Sequence, residues 1–239
     1  MGRSAYLLNI AWNNNAFHAS KNIPAVTPRF AAEEFLFSQG IILGIVRDTI
    51  GPFKMFEKLK APANQIEAAA KAEYVILCQY YMNLHQDQRK GFWRTLILDR
   101  EHGDITKPTS PAPGDFVFMF DVYMDIVLVR AEFEPELPEW DRKVRFIAPL
   151  SNSIDCTWAQ CCFFTTDTGH VGMGPFITQS GDSVTILIGA SFCSMLRKDS
   201  ESELYKLLGD AYDHGVMNGE LIETDNDGNV LNAQEIRLC

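Results

Sequence analysis

Phe163-Phe164-Thr165-Thr166-Asp167-Thr168-Gly169-His170-Val171-Gly172-Met173-Gly174-Pro175 is the stretch that decides how the chain is read. Apolar and β-branched residues flank the polar triplet Asp167-Thr168-Gly169, the pattern of two strands joined by a tight turn. Val184 to Ile188 is a further β-branched, apolar strand. Phe192 to Arg197 and Leu204 to Tyr212 follow, paired across the polar turn Lys198 to Ser202. His214 to Glu220 reads as a turn, Asp225-Asn226-Asp227-Gly228 as a tight surface turn, and Glu235 to Leu238 as a closing strand. Residues from about 162 to 239 therefore read as a β module punctuated by glycine.

Upstream, the period changes. Asn13-Asn14-Asn15, Pro24 and Pro28 argue against long regular elements before residue 30. Phe30 to Ile50 reads as paired strands with a turn at Ser38-Gln39-Gly40. Asn64, with Glu67 three residues on, is a good N-cap for a helix running through Ile66, Ala70, Leu77, Tyr81 and Leu84. Gly91 separates this from a short helix over Phe92 to Arg100, and Lys107 to Gly114 is a Pro-rich surface loop. Asp115 to Arg130 is apolar and long enough for a buried helix, with a strand pair as the alternative. Glu132 to Glu139, acidic and holding Pro135 and Pro138, reads as a linker, and Trp140 to Leu150 as another helix. The expected fold class is α+β: a small antiparallel β-sheet or barrel-like lobe, built from the N-terminal strands plus residues 162–239, packed with a helical segment over 62–150 in a single domain.

Composition narrows the function. The chain has 239 residues, 46% hydrophobic and 22% charged, enough for one sizeable core. A formal charge of −10 with no Lys/Arg-rich face disfavours nucleic acid and anionic membrane surfaces. No apolar run approaches the length of a membrane span. The N-terminus carries one positive charge and an apolar run broken by Asn9, too weak for a secretory signal, so a cytoplasmic location is expected. The six cysteines are too sparse for a disulfide scaffold and read as reduced thiols. Cys156, Cys161 and Cys162 near His170 lack the paired spacing of a zinc site.

The β module resembles the C-terminal part of fungal heterokaryon-incompatibility (HET) proteins. The residues that carry the resemblance run in unbroken order: Phe163-Phe164; Gly169-x-x-Gly172-x-Gly174-Pro175; Gly181-Asp182; Val184 to Gly189; Met195-Leu196-Arg197; Tyr205-x-Leu207-x-Gly209; and Tyr212-Asp213-His214-Gly215-Val216-Met217-Asn218-Gly219-Glu220. Weaker similarity reaches back through Phe92-Trp93-Arg94-Thr95-Leu96 and Gly40 to Asp48 to residue 16. Cys161 and Cys162 stand where basic residues are usual before the Phe pair. The resemblance implies a HET C-terminal-like domain without the N-terminal effector domain, the part linked to incompatibility and cell death. Such a chain is not expected to trigger that response alone.

The glycine run at 169, 172 and 174 is followed by Pro175 and a strand rather than a helix N-terminus, so it fits turns better than a phosphate loop. Glu223-x-Asp225-x-Asp227-Gly228 departs from a calcium loop at its first and twelfth positions, the latter Gln234. No hydrolase elbow, zincin helix or Walker loop is present, and no cofactor motif, so a cofactor-free activity is expected. His214, beside Tyr212, is the best acid–base candidate, against a structural histidine bonded to a backbone carbonyl. Arg197, Trp93, Arg94 and Tyr205 are the candidate substrate contacts; Arg197 also fits a charged strand end, and Trp93 a core aromatic. Two functions follow. The first is a cofactor-independent cyclase or isomerase of fungal secondary metabolism, of the Diels–Alder type, acting on a hydrophobic small molecule. Its motivation is the 16 phenylalanines and the ability of an apolar pocket to hold a reactive conformer. The second is a HET-related recognition module that binds a HET-type or other protein partner, or a second copy of itself.

Overall fold

The computed structural model describes residues 17–21, 23–24, 29–31, 35–50, 76, 78–101, 110–132, 138–158 and 161–239. The chain divides into two compact units, one of Met1–Asn13 with Ile50–Cys161 and one of Asn14–Thr49 with Cys162–Cys239.

The first unit is helical. Its helices are α1 (Gln86–Leu96), α2 (Phe116–Glu132) and α3 (Pro138–Trp158). Phe92 of α1 meets Tyr81 and Phe120 at ring-centroid distances of 5.3 and 5.8 Å, and Trp93 meets Phe116 at 6.3 Å. Such aromatic pairs add to area burial, and here they tie α1 to α2. Gly91 lies inside α1 rather than ahead of a separate helix. The burial of Phe92, Trp93 and Leu96 outweighs the ~1 kcal/mol that a mid-helix glycine costs. The region left open between helix and strand pair is the helix α2. Phe116, Phe120 and Tyr123 are buried at helical spacing while Phe118 is 65% exposed, so apolar side chains ring the helix and blur its period. Ile147, Leu150 and Ile154 form the buried stripe of α3, while the side chains from Asp141 to Phe146 are exposed. Pro138 opens α3 at a position where its missing N–H costs nothing, so the linker expected over Glu132 to Glu139 loses both its ends to helices. The helix expected from Asn64 falls mostly outside the described residues; within it, residues 76 and 78–83 are described as helical.

The second unit holds the sheet. Its strands are β1 (Arg29–Ala31), β2 (Phe35–Ile50), β3 (Cys161–Thr166), β4 (Val171–Pro175), β5 (Ser183–Leu187), β6 (Cys193–Lys198), β7 (Tyr205–Asp213) and β8 (Gln234–Leu238). They pair along the path β1-β2-β3-β4-β7-β6-β5, and β5 returns to β2. That last pairing closes β2, β3, β4, β7, β6 and β5 into a ring, and closure removes the unpaired strand edges of an open sheet. β8 lies against both β2 and β7.

The turn expected at Ser38-Gln39-Gly40 is absent, because β2 runs unbroken for 16 residues. Gly40 is the residue at which pairing passes from β8 to β5: it is opposite Gln234 on one strand and Leu187 on the other. A Cβ there would stand 2.8 Å from the Ile186 carbonyl oxygen, so the glycine serves close approach inside a strand. The glycine run of β4 has a similar origin. A Cβ at Gly172 would sit 2.2 Å from Phe164 Cζ and 2.3 Å from the Tyr212 carbonyl oxygen. Phe164 is fully buried, and Gly172 and Gly174 give its ring room.

Leu196, Ile236 and Leu238 form an apolar cluster, with Leu36, Ile42, Leu187 and Tyr205 packed against it. It fastens β8 to the ring. None of the described helices is long and apolar enough to cross a membrane.

Candidate functional site

The antiparallel register of β4 and β7 sets Gly172 opposite Asp213 and Met173 opposite Tyr212. The His214 N–H donates to the Val171 carbonyl at 3.3 Å. His170, Tyr212, Asp213 and His214 therefore gather where β4 begins and β7 ends. Tyr212 and Asp213 are consecutive strand residues, so their side chains leave on opposite faces. Two polar pairs result, one on each face.

On one face the Tyr212 hydroxyl lies 3.2 Å from His214 Nδ1. Tyr212 is 2% exposed and its ring meets Phe17 edge-on at 5.5 Å. Phe17 is held by the following backbone, where His18 N–H donates to the Met217 carbonyl at 2.8 Å and Ala19 N–H to the Ser191 carbonyl at 3.1 Å. A phenol bonded to an imidazole can pass a proton in either direction, the chemistry expected of His214 and Tyr212.

On the other face His170 Nδ1 lies 3.2 Å from Asp213 Oδ1. The Asp213 side chain is fully buried and that of His170 is 26% exposed. Hydrogen bonding to Asp213 holds the His170 imidazolium above its ordinary value, against the opposing effect of partial burial. Burial pushes the Asp213 carboxyl up, and the His170 bond opposes this. Cys193, fully buried, is pushed well up by burial first and then by the charges of Asp213 and Glu220.

The remaining candidates lie elsewhere. Arg197 Nε and Nη2 donate to the two carboxylate oxygens of Asp182 at 2.8 and 2.9 Å, and Nη2 also donates to the Ile177 carbonyl at 2.7 Å. That bidentate pair fixes the loop between β4 and β5, and the Gln179 N–H donates to Asp182 at 2.8 Å as well. Arg197 sits opposite Lys206 on β7, six residues before Tyr212. Tyr205 is at the start of β7, seven residues before Tyr212, about 23 Å along an extended strand. Its carbonyl accepts from the Cys239 N–H at 2.9 Å. Trp93 and Arg94 belong to the helical unit, where Arg94 lies over the Trp93 ring at 4.2 Å and pairs with Asp99. The structure thus brings together His214 and Tyr212, and sets Arg197 and Tyr205 toward the far end of β7.

The thiols and the acidic loop are occupied locally. Cys162 donates to the Pro175 carbonyl at 3.3 Å, and burial pushes its thiol up to about 11. All six cysteines are free. Asp225 accepts from the backbone N–H groups of Asp227 and Asn229 and from the Asn229 side chain, so the acidic loop is the surface turn expected. Among the described residues no group of three or more His, Cys, Asp or Glu is placed to hold a metal ion.

The sequence reading missed the His170–Asp213 pair. In sequence His170 is a hairpin residue and a neighbour of cysteines, and Asp213 a position inside a motif, with nothing that pairs the two. Two strands, β5 and β6, separate β4 from β7 along the chain, so nothing local signals that register.

Residues 154–230 match the model of the Het-6 β-barrel domain. The chain is also 36% identical over 63 residues to heterokaryon incompatibility protein 6, OR allele, of Neurospora crassa, an alignment spanning 26% of this chain and 9% of that protein. No solved structure matches the chain. The resemblance to HET proteins therefore holds over residues 154–230, which include the strands β3 to β7.

Proposed function

We propose that the ring unit is a HET-related recognition module that binds a protein partner. The observation that supports this reading is where the polar side chains of the matched segment spend their bonds. Asp182 and Arg197 pair with each other, Asp225 holds its own turn, Thr168 bonds the Leu43 carbonyl, and Asp167 accepts from the Ile45 N–H. These groups build a scaffold. Phe176 and Ile177, 45% and 42% exposed on the loop after β4, are apolar side chains that this scaffold offers outward. The partner class is a HET-type protein, and the test is direct. Calorimetric titration of the full chain against heterokaryon incompatibility protein 6 of Neurospora crassa is expected to give a dissociation constant of about 1 μM, and Phe176→Ser is expected to weaken it about tenfold without lowering the melting temperature. Absence of heat at concentrations on the order of 100 μM would overturn the reading.

A second reading has its own support in the Tyr212–His214 hydrogen bond. A buried phenol paired with an imidazole is a proton donor able to polarise a carbonyl, as a cofactor-free cyclase or isomerase acting on a hydrophobic small molecule requires. For an intramolecular cycloaddition of a fungal polyene, Tyr212→Phe is expected to slow turnover by about 10²-fold. Equal rates with protein and with buffer, over the linear intermediates made by neighbouring biosynthetic genes, would remove this reading.

A further inference from the structure

The turn between β3 and β4 is the place where three parts of the ring meet. It bonds to β2: Asp167 Oδ1 accepts from the Ile45 N–H at 2.8 Å, the Asp167 N–H donates to the Ile45 carbonyl at 2.9 Å, and Thr168 Oγ1 donates to the Leu43 carbonyl at 2.8 Å. It is braced within itself, as His170 N–H donates to Thr166 Oγ1 at 3.0 Å. Its side-chain tie to β7 is the bond between His170 and Asp213.

Asp213 is an unusual anchor. Its side chain is fully buried, one oxygen faces His170, and Oδ2 has no hydrogen-bond partner among the described residues. A carboxylate in that position is costly as an anion unless a cation stands beside it. Nearby, Cys193 of β6 is pushed up by burial first and then by the charges of Asp213 and of Glu220 in the loop after β7. The Cys193 thiol bonds Met217 at 3.9 Å. Tyr212 and His214 bond each other on the opposite face of β7. Among the described residues, His170 is thus the group able to carry a positive charge that bonds Asp213.

We propose that the His170–Asp213 pair is a proton-operated latch, which holds the 167–170 turn against β7 while His170 is charged and loosens the β2–β3–β4 seam when His170 loses its proton. The sign follows from the pair. Asp213 holds the folded-state value of His170 above the ordinary 6.5. The stability that His170 contributes is therefore fully present below 6.5 and lost as the pH rises through the raised value. Asp213 acts in the same direction, since its carboxyl is also raised, above 3.8, and its share is likewise lost as the pH rises. Release of the turn would free the Ile45 and Leu43 backbone groups of β2. The latch thus links proton uptake to closure of the ring.

The test uses the full chain. The His170 Cε1 proton, followed by NMR, is expected to titrate above 6.5, and deuterium uptake over residues 41–47 and 164–174, corrected for intrinsic exchange, is expected to rise about threefold or more between about pH 5.5 and about pH 8.5. In His170→Gln, whose amide keeps a hydrogen bond but never a charge, that excess should vanish. A wild-type titration at or below 6.5, or an equal pH dependence in His170→Gln, overturns the latch. The wild-type titration decides alone where the variant does not fold.

Discussion

Asp182 is 1% exposed, and its charge is balanced by one guanidinium. Arg197→Ala removes two charge-assisted bonds and leaves the carboxylate with the Gln179 N–H. Breaking a buried pair from one side costs about 3–5 kcal/mol, and the 31% exposure of the Arg197 side chain lowers the expectation to about 2–4 kcal/mol. Urea denaturation measures it. A loss under about 1 kcal/mol would show that Arg197 is not needed to neutralise Asp182. The sequence offered both readings of Arg197, ligand contact and strand end, because a charged residue closing an apolar strand looks the same in each. The partner decides, and Asp182 lies 15 residues away across β5. His214 and Tyr212 stand out in the sequence as separate donor candidates with no partner named, although their contact is local, two residues apart at one strand end. The contact between His170 and Asp213 spans 43 residues and had no such signal.

At the scale of elements, the hairpin from Glu223 to Leu231 is the clearest case of turn chemistry read correctly. Leu231 N–H donates to the Glu223 carbonyl at 2.8 Å and Thr224 bridges Val230. Asp225 organises the loop by accepting from two backbone N–H groups, as an Asx turn does. These bonds, that of the Asn229 side chain first, hold its carboxyl below the ordinary 3.8. A depressed folded value contributes stability that is present above 3.8 and lost as the pH falls through the lowered value. Asp225→Ala is therefore expected to speed amide exchange at Asp227 and Asn229 at neutral pH, and to make the melting temperature less steeply dependent on pH below about 4. Millimolar calcium should leave the wild-type melting temperature unchanged, because both carboxylate oxygens already accept hydrogen bonds. A rise with calcium would restore the metal-loop reading. Elements that were misread share one cause. Gly40 and Gly91 look like punctuation in one dimension, yet close strand approach keeps the first inside β2 and aromatic burial keeps the second inside α1.

At the scale of the molecule, the ring is discontinuous in sequence. Its family match begins at residue 154 and ends at 230, while β2 comes from residues 35–50 and β8 from 234–238. β2 supplies the closing pairing to β5 from Gly40 to Ile45 and the pairing to β8 from Leu36 to Gly40. It also exchanges bonds with the loops, as Val46 N–H donates to the Asp182 carbonyl at 2.8 Å and Gly181 N–H to the Val46 carbonyl at 2.9 Å. Without β2, β3 and β5 become open edges, and the apolar faces of Val184 and Ile186 lose a neighbour. An open sheet of this kind has lost the pairing that repays its long loop closures. A fragment of residues 154–239 is therefore expected to show no cooperative thermal transition by circular dichroism, and a peptide of residues 29–50 added in excess is expected to restore one. A fragment that melts cooperatively within about 5 °C of the full chain would mean that the matched segment folds without the strand that closes its ring.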